Sequence, residues 1–172
     1  MGEAVEKCRG HLGVTEYAGP FTEAGCRPLL NILGKPVGTF LTGGRLLEKE
    51  TGSIIVIVGT DAPLSSLSLR HVARRAEIGI GRTGTPGGNN SGDIFPALSV
   101  ANLSPMPQLS PPRVSRPELN MEYLDHVHLA AVKAVNEAVV NALVAGEDVA
   151  AFKPKGHLCR AINTLELGRL FA

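Results

Sequence analysis

The sequence predicts a layered α/β protein, and three observations carry that prediction. Residues 53–58, Ser-Ile-Ile-Val-Ile-Val, form an almost purely β-branched run without a polar face, the mark of a strand buried on both sides. Beyond it, Leu69, Val72, Ala73, Ala76 and Ile80 recur at helical spacing opposite Arg70, Arg74, Arg75 and Glu77, which describes an amphipathic helix. A second apolar β run at 94–101 and a long helical pattern at 118–145 repeat the alternation, and strands alternating with helices stack into layers.

Taken in order, residues 1–27 show no periodicity, only scattered Gly, Pro and charge, and receive no element. Residues 28–33 and 37–41 read as two short strands about the turn Gly34-Lys35-Pro36. The stretch 42–51, with two glycines and Glu48-Lys49-Glu50, reads as an exposed loop leading to Gly52-Ser53. The helix after the first buried strand starts near Pro63 or Ser65 and is ended by Gly79 and Gly81. Residues 84–92, rich in Gly and Asn, suit a tight loop. In the strand at 94–101, Pro96 has to occupy an edge or a bulge. Five prolines make 104–117 an extended connection. Pro117 and Glu118 open the longest helix, which runs to Ala145 before Gly146 and carries the inward stripe Leu124, Val127, Ala131, Val135, Ala138, Ala142 and Ala145. A last helix spans 158–170. The expected arrangement is one mainly antiparallel sheet holding 53–58 and 94–101, with the helices near 65–80 and 118–145 packed together on one face. No internal repeat or domain boundary interrupts the pattern.

A length of 172 residues is enough for one domain with a core, and the hydrophobic share of 44% against a charged share of 19% describes a globular chain. With no Trp and only 4% aromatic residues, that core is aliphatic. The net charge of +1 argues against nucleic acid or an anionic membrane as partner. Arg70, Arg74, Arg75 and Arg82 cluster, but three of them fall where a helix turns them to solvent. Cys8, Cys26 and Cys159 are odd in number and lack Cys-x-x-Cys spacing, which points to a reducing compartment and hence the cytoplasm. No charged-then-apolar leader opens the chain, and its unbroken apolar stretches fall short of the roughly 20 residues of a membrane helix. Among His11, His71, His126, His128 and His157 no His-x-x-x-His pair occurs, so no metal site is expected. The 84–92 loop lacks the Gly-Lys-Ser/Thr ending of a phosphate cradle and leads into a strand.

The chemistry concentrates at two serines. Scission of the Gly52–Ser53 bond would make Ser53 amino-terminal, placing a nucleophilic hydroxyl and a basic α-amine on one residue; the alternative is a plain turn entering a sheet. Ser91-Gly92-Asp93 closes the glycine-rich loop before a strand of similar length. Two neighbouring strands would bring Ser53 and Ser91 to the same sheet end, and Asp93, two residues on, shares the strand face of Ser91. Nucleophile, base and orienting group are then all present, against the plainer reading of Ser91 and Asp93 as turn and capping groups. Thr60 and Asn102 are further candidate polar groups of the site, each equally readable as a satisfied strand-end residue.

These residues fall in blocks: Gly-Ser-Ile-Ile-Val at 52–56, Thr-Asp-Ala-Pro-Leu at 60–64, Arg-Arg-Ala at 74–76, Gly-Arg-Thr-Gly at 81–84, Ser-Gly-Asp-Ile-Phe at 91–95 and Ala-Asn at 101–102. In order and interval they resemble the β-subunit of the DmpA-type aminopeptidases, the self-processing L-aminopeptidase/D-esterase and β-peptidyl aminopeptidase family. Residues 30–38, Leu-Asn-Ile-Leu-Gly-Lys-Pro-Val-Gly, resemble the end of that family's α-subunit. The resemblance implies an αββα sandwich of the amino-terminal-nucleophile type, of which this chain is the incomplete, C-terminal half: residues 1–52 a remnant of the α-subunit region and 53–172 the catalytic β-subunit-like region, in one structural domain. It implies autoproteolysis at Gly52–Ser53, Ser53 as catalytic nucleophile, and Ser91 and Asp93 as the groups that tune and position it. The implied reaction removes amino-terminal residues from small peptides, amides or esters through an acyl-enzyme, with no metal or cofactor. The family's oxyanion asparagine, upstream of the 30–38 block, has no counterpart in Phe21-Thr22-Glu23-Ala24-Gly25. Family members are about twice this length, so a weak hydrolase that self-associates, or a non-catalytic member assembling with itself or a full-length partner, is also expected.

Overall fold

The computed structural model describes residues 27–41, 53–89, 91–103, 107–109, 111–150 and 155–172. The junction residue Gly52, the loop at 42–51 and the stretch 21–25 lie outside them. The central feature is a two-stranded parallel sheet, β1 (Val58–Thr60) beside β2 (Ala97–Ser99), with Val58 opposite Ala97 and Thr60 opposite Ser99. Pairing extends toward the amino end through the bridge of Ile55 with Ile94, where Ile94 N–H donates to Ile54 O and Val56 N–H to Ile94 O, both at 3.0 Å. It resumes with Val58 N–H on Pro96 O at 2.9 Å. Pro96 has no N–H to return, so one rung of the ladder is missing, and the regular strands shrink to three residues each.

The parallel direction corrects the antiparallel expectation. Between β1 and β2 the chain passes through two helices, α1 (Ser66–Ala73) and α2 (Arg75–Gly81), and a helical crossover returns the second strand in the direction of the first. Ser65 caps α1, its hydroxyl accepting from Ser68 N–H at 3.3 Å. The single helix expected over 65–80 is broken at Arg74, and Gly79 is a buried residue inside α2 rather than its end.

The long helix α3 covers Leu124–Ala145. It starts later than Pro117, after a 3₁₀ turn at Met121–Tyr123 whose N-cap Asn120 accepts from Glu122 N–H at 3.1 Å. Its buried residues are Leu124, Val127, Ala131, Val132, Val135, Val139 and Leu143, so the expected alanine stripe gives way after Val135 to Val139 and Leu143, while Ala145 is exposed. Within 121–145 an 18-residue window reaches a mean hydropathy of 1.3, long and apolar enough to cross a membrane by length and composition only, but here the apolar stripe of the helix is used inside the fold. The amino-terminal half of the stripe meets Ile54, Val56 and Val58 of the sheet together with Val72, Ala76 and Ile80 of α1 and α2. The carboxy-terminal half builds a second core with Leu30, Ile32, Val37, Ile162 and Leu167. Each fully buried aliphatic side chain of this kind contributes about 1.5–3 kcal/mol.

Around the second core two further expectations are corrected. Residues 28–33 and 37–41 are not strands: Arg27–Leu29 and Val37–Thr39 are 3₁₀ turns on either side of a tight reversal in which Ile32 bridges Lys35. Leu33 at φ 51 and Gly34 at φ 81 make that reversal, a geometry that interrupts any strand. The helix expected over 158–170 is a short strand β4 (Leu158–Cys159), paired antiparallel with β3 (Val149–Ala150), and then α4 (Thr164–Arg169), capped by Asn163.

Candidate active site

The amino ends of the paired segments bring Ser53 and the 91–93 turn together. Gly92 N–H donates to Ser53 Oγ at 2.9 Å. One step further, Ile54 N–H donates to Asp93 Oδ1 at 3.1 Å, and the Ser91 hydroxyl donates to the same oxygen. A carboxylate two residues past Ser91 therefore anchors both the Ser91 side chain and the peptide that follows Ser53. Alternation along the strand sets this up: Phe95 and Ala97 pack on the helix-side core, whereas Ile94 is 56% exposed on the opposite face. Ser91 and Asp93 share the helix-side face with Phe95, and Gly92 presents its N–H to Ser53, which is solvent-exposed.

The loop before Ser91 is held in place by backbone geometry. Thr83 is buried, with its hydroxyl on Ile80 O at 2.6 Å, and its carbonyl accepts from Asn31 N–H at 2.9 Å. Gly84, at φ +107, passes so close to Leu29 that a Cβ would sit 1.8 Å from the Leu29 carbonyl oxygen. Only glycine fits there. The turn closes with Ser91 N–H on Gly88 O at 2.8 Å. A cavity of about 430 Å³ lies between α2, this loop and the helix-side face of 91–95, lined by Glu77, Ile80, Pro86, Ser91, Asp93 and Phe95 among others.

Thr60 and Asn102 are elsewhere. Thr60 sits at the far, carboxy end of β1, where its hydroxyl accepts from Ala62 N–H at 3.1 Å. Asn102 donates to Pro117 O at 3.1 Å and ties down the connection into α3. Neither is brought to Ser53 in this structure, and both serve as strand-end ties. The contact that spacing alone did not single out is the Gly92 N–H; the signal was a glycine between the two candidate site residues, leaving the main chain open to close approach.

Chemically, the arrangement offers an exposed hydroxyl whose oxygen already receives one main-chain donor, so negative charge developing on Ser53 Oγ meets an N–H rather than only water. The Ser91–Asp93 pair supplies a fixed acceptor one residue away. Among the described residues no group of three His, Cys, Asp or Glu side chains is placed to hold a metal ion.

Comparison with known proteins identifies the family and the fold. The model of peptidase family S58 matches residues 20–157. The β-peptidyl aminopeptidase BapA of Sphingosinicella microcystinivorans is 37% identical over 138 residues, which cover 72% of this chain and 35% of that protein. Among solved structures, the L-aminopeptidase D-Ala-esterase/amidase of Ochrobactrum anthropi, a variant of the Ntn-hydrolase fold, superposes with a TM-score of 0.78 at 40% identity over 96% of this chain and 48% of that one. The Burkholderia sp. β-aminopeptidase gives a TM-score of 0.70 at 33% identity, covering 83% of this chain and 40% of that one. This chain thus spans about a third to a half of the length of these relatives, and its α/β architecture is part of an Ntn-hydrolase fold. The chain belongs to peptidase family S58.

Proposed function

We propose that this chain carries the nucleophile of a serine aminopeptidase that processes itself at Gly52–Ser53 and then releases amino-terminal residues from small peptides, amides or esters. The observation that supports it most directly is the convergence of Gly92 N–H on Ser53 Oγ while Asp93 holds Ile54 N–H and the Ser91 hydroxyl. In the processing step Ser53 Oγ attacks the Gly52 carbonyl carbon, the amide becomes an ester, and water splits that ester to leave a Gly52 carboxylate and a free Ser53 α-amine. In turnover the same oxygen attacks the substrate carbonyl, the α-amine takes the hydroxyl proton and passes it to the leaving amine, and water releases the acyl group. A free α-amine titrates at about 7.7–8, suited to this exchange near neutrality.

The apolar outer face of the sheet supports association as a homo-oligomer: Ile94, Leu98 and Val100 are 56%, 46% and 51% exposed, and unpaired sheet edges and apolar patches drive assembly. The odd number of cysteines, without Cys-x-x-Cys spacing, supports a reducing, cytoplasmic setting.

The test combines intact-mass measurement with an assay on amino-acid p-nitroanilides. Wild type yields a species beginning at Ser53 and turnover. Ser53→Ala loses both, because one hydroxyl performs both steps, and Ser53→Cys keeps some cleavage. Cleavage of Ser53→Ala at the wild-type rate would assign the cut to another protease and remove the proposal.

A further inference from the structure

Ser53 is not among the residues lining the cavity of about 430 Å³ behind the 91–95 segment, so that space is distinct from the nucleophile's own surface. We propose that it binds a small primary ammonium ion carrying a short hydrocarbon tail, and that its occupancy is transmitted to Ser53 through the Asp93 carboxylate.

Size comes first. At about 30 Å³ per water in the liquid, the cavity exceeds what one or two structural waters fill and suits a group the size of an amino-acid side chain. Polarity comes next. Glu77 lies on one wall, and its side chain makes no hydrogen bond or ion pair among the described residues; the hydrogen bonds of Asp93 to described residues both fall on Oδ1, not on Oδ2. Among the described lining residues there is no Lys or Arg. An anion would meet two carboxylates without a counter-charge. The remaining wall is apolar, from Ile80, Pro86 and Phe95. A hard metal ion would complete its shell with water and make no use of such a wall; an ammonium head with a hydrocarbon tail engages both halves.

Position supplies the coupling. Asp93 Oδ1 is the acceptor of Ile54 N–H, the amide next to Ser53, and the same carboxylate faces the cavity. A cation on Oδ2 draws charge from Oδ1 and loosens its hold on both donors. Amines are what amide and peptide hydrolysis releases, so the site is suited to sense that class of product. The binding itself does not depend on the chain being a hydrolase.

Amide-detected NMR of the full chain, titrated at constant ionic strength with n-butylammonium chloride, n-butanol or sodium butyrate, tests the proposal. The expected result is saturable shifts at Glu77, Gly81 and Phe95 with butylammonium, at an affinity on the order of 1 mM for so small a ligand, with concerted shifts at Ile54 and Gly92. Glu77→Gln weakens binding roughly tenfold, and butanol binds at least about tenfold more weakly than butylammonium. Glu77→Gln lies at an exposed position and is expected to fold as the wild type does. Equal responses to butanol and butylammonium, absence of saturation, or wild-type binding by Glu77→Gln would overturn the site. Binding without any response at Ile54 or Gly92 would overturn the coupling. No arm reads hydrolysis, so a failed p-nitroanilide assay and a failed titration report on separate ideas.

Discussion

Gly79 of α2 lies directly on Val135 of α3: a Cβ built on the glycine would come within 2.6 Å of Val135 Cβ and 2.9 Å of the Val132 carbonyl oxygen. The two helices therefore cross at a distance that admits no side chain, and the obstacle includes backbone and a β-branched carbon that cannot rotate away. Gly79→Ala is expected to destabilise the fold by up to about 2 kcal/mol, an overpacking cost of about 1–3 kcal/mol being offset by a helix-propensity gain of roughly 1 kcal/mol. Gly81→Ala, where nothing lies within 4 Å, is expected to be neutral or slightly stabilising. Urea midpoints of the two variants, measured together, check the contrast.

Gly84→Ala meets a harder obstacle, a positive φ and the Leu29 carbonyl at once. The loop has to leave its seat on the 27–31 segment, with an expected loss of at least about 2 kcal/mol. Because Ser91 follows on the same loop, shift perturbations should spread to 91–93 as well, and an amide spectrum reads both effects. A change confined to residues 82–86 would show that the loop's seat and the candidate site are independent.

Asp93→Asn keeps the size of the side chain and removes the charge that accepts from Ile54 N–H and Ser91. The expected outcome is a fall of roughly 100-fold in p-nitroanilide turnover. Ser91→Ala added to it should cost little more, because the two groups act as one unit. Additive losses in the double variant would show that Ser91 acts without its neighbour.

His128 predicts a pH dependence of stability. Its ring stacks on His71 of α1 with centroids 6.5 Å apart and planes 19° apart, and its Nε2 is buried without a hydrogen-bond partner. Burial lowers its pKa below the ordinary 6.5; Arg75 and His71 lower it further, while Asp125, 3.7 Å away, opposes them. The folded protein thus holds His128 neutral over a range where the unfolded chain takes up a proton. Stability from this residue is complete above about pH 7.5, is lost as pH falls through 6.5, and stops falling below the lowered folded value. Urea midpoints between pH 5 and 8 should show that decline in wild type and a flatter line in His128→Gln.

The helices were legible because their signals are local. Leu69, Val72, Ala76 and Ile80 repeat at 3.6, and Ser65 is a good cap wherever it stands. Ser53 does meet Ser91 and Asp93 at one sheet end, as expected, but it does so because the strands run parallel; antiparallel neighbours would have put their amino ends at opposite ends of the sheet. Strand direction was not written in the β-branched runs, because parallel and antiparallel partners bury the same residues; it was written in the crossover through α1 and α2. Residues 28–41 misled because Leu, Ile and Val cover a core equally well from 3₁₀ turns, and the reversal depends on Leu33 accepting φ 51, which composition does not announce. The later half of the α3 stripe was missed for a related reason: Val139 and Leu143 face a second core built from distant segments, Leu30 to Val37 and Ile162 to Leu167.

The bond between Gly92 N–H and Ser53 Oγ joins residues 39 positions apart, on segments aligned only after a crossover through two helices. While the chain is emerging or collapsed without register, Ser53 is an ordinary hydroxyl. Its partner amide and the carboxylate beside it arrive together, at the moment the parallel pair locks. A self-cutting step of the kind proposed, depending on those groups, would therefore be timed by folding: an unfinished molecule would keep its peptide bond intact, and each cut amino terminus would mark a chain that had already reached its native register.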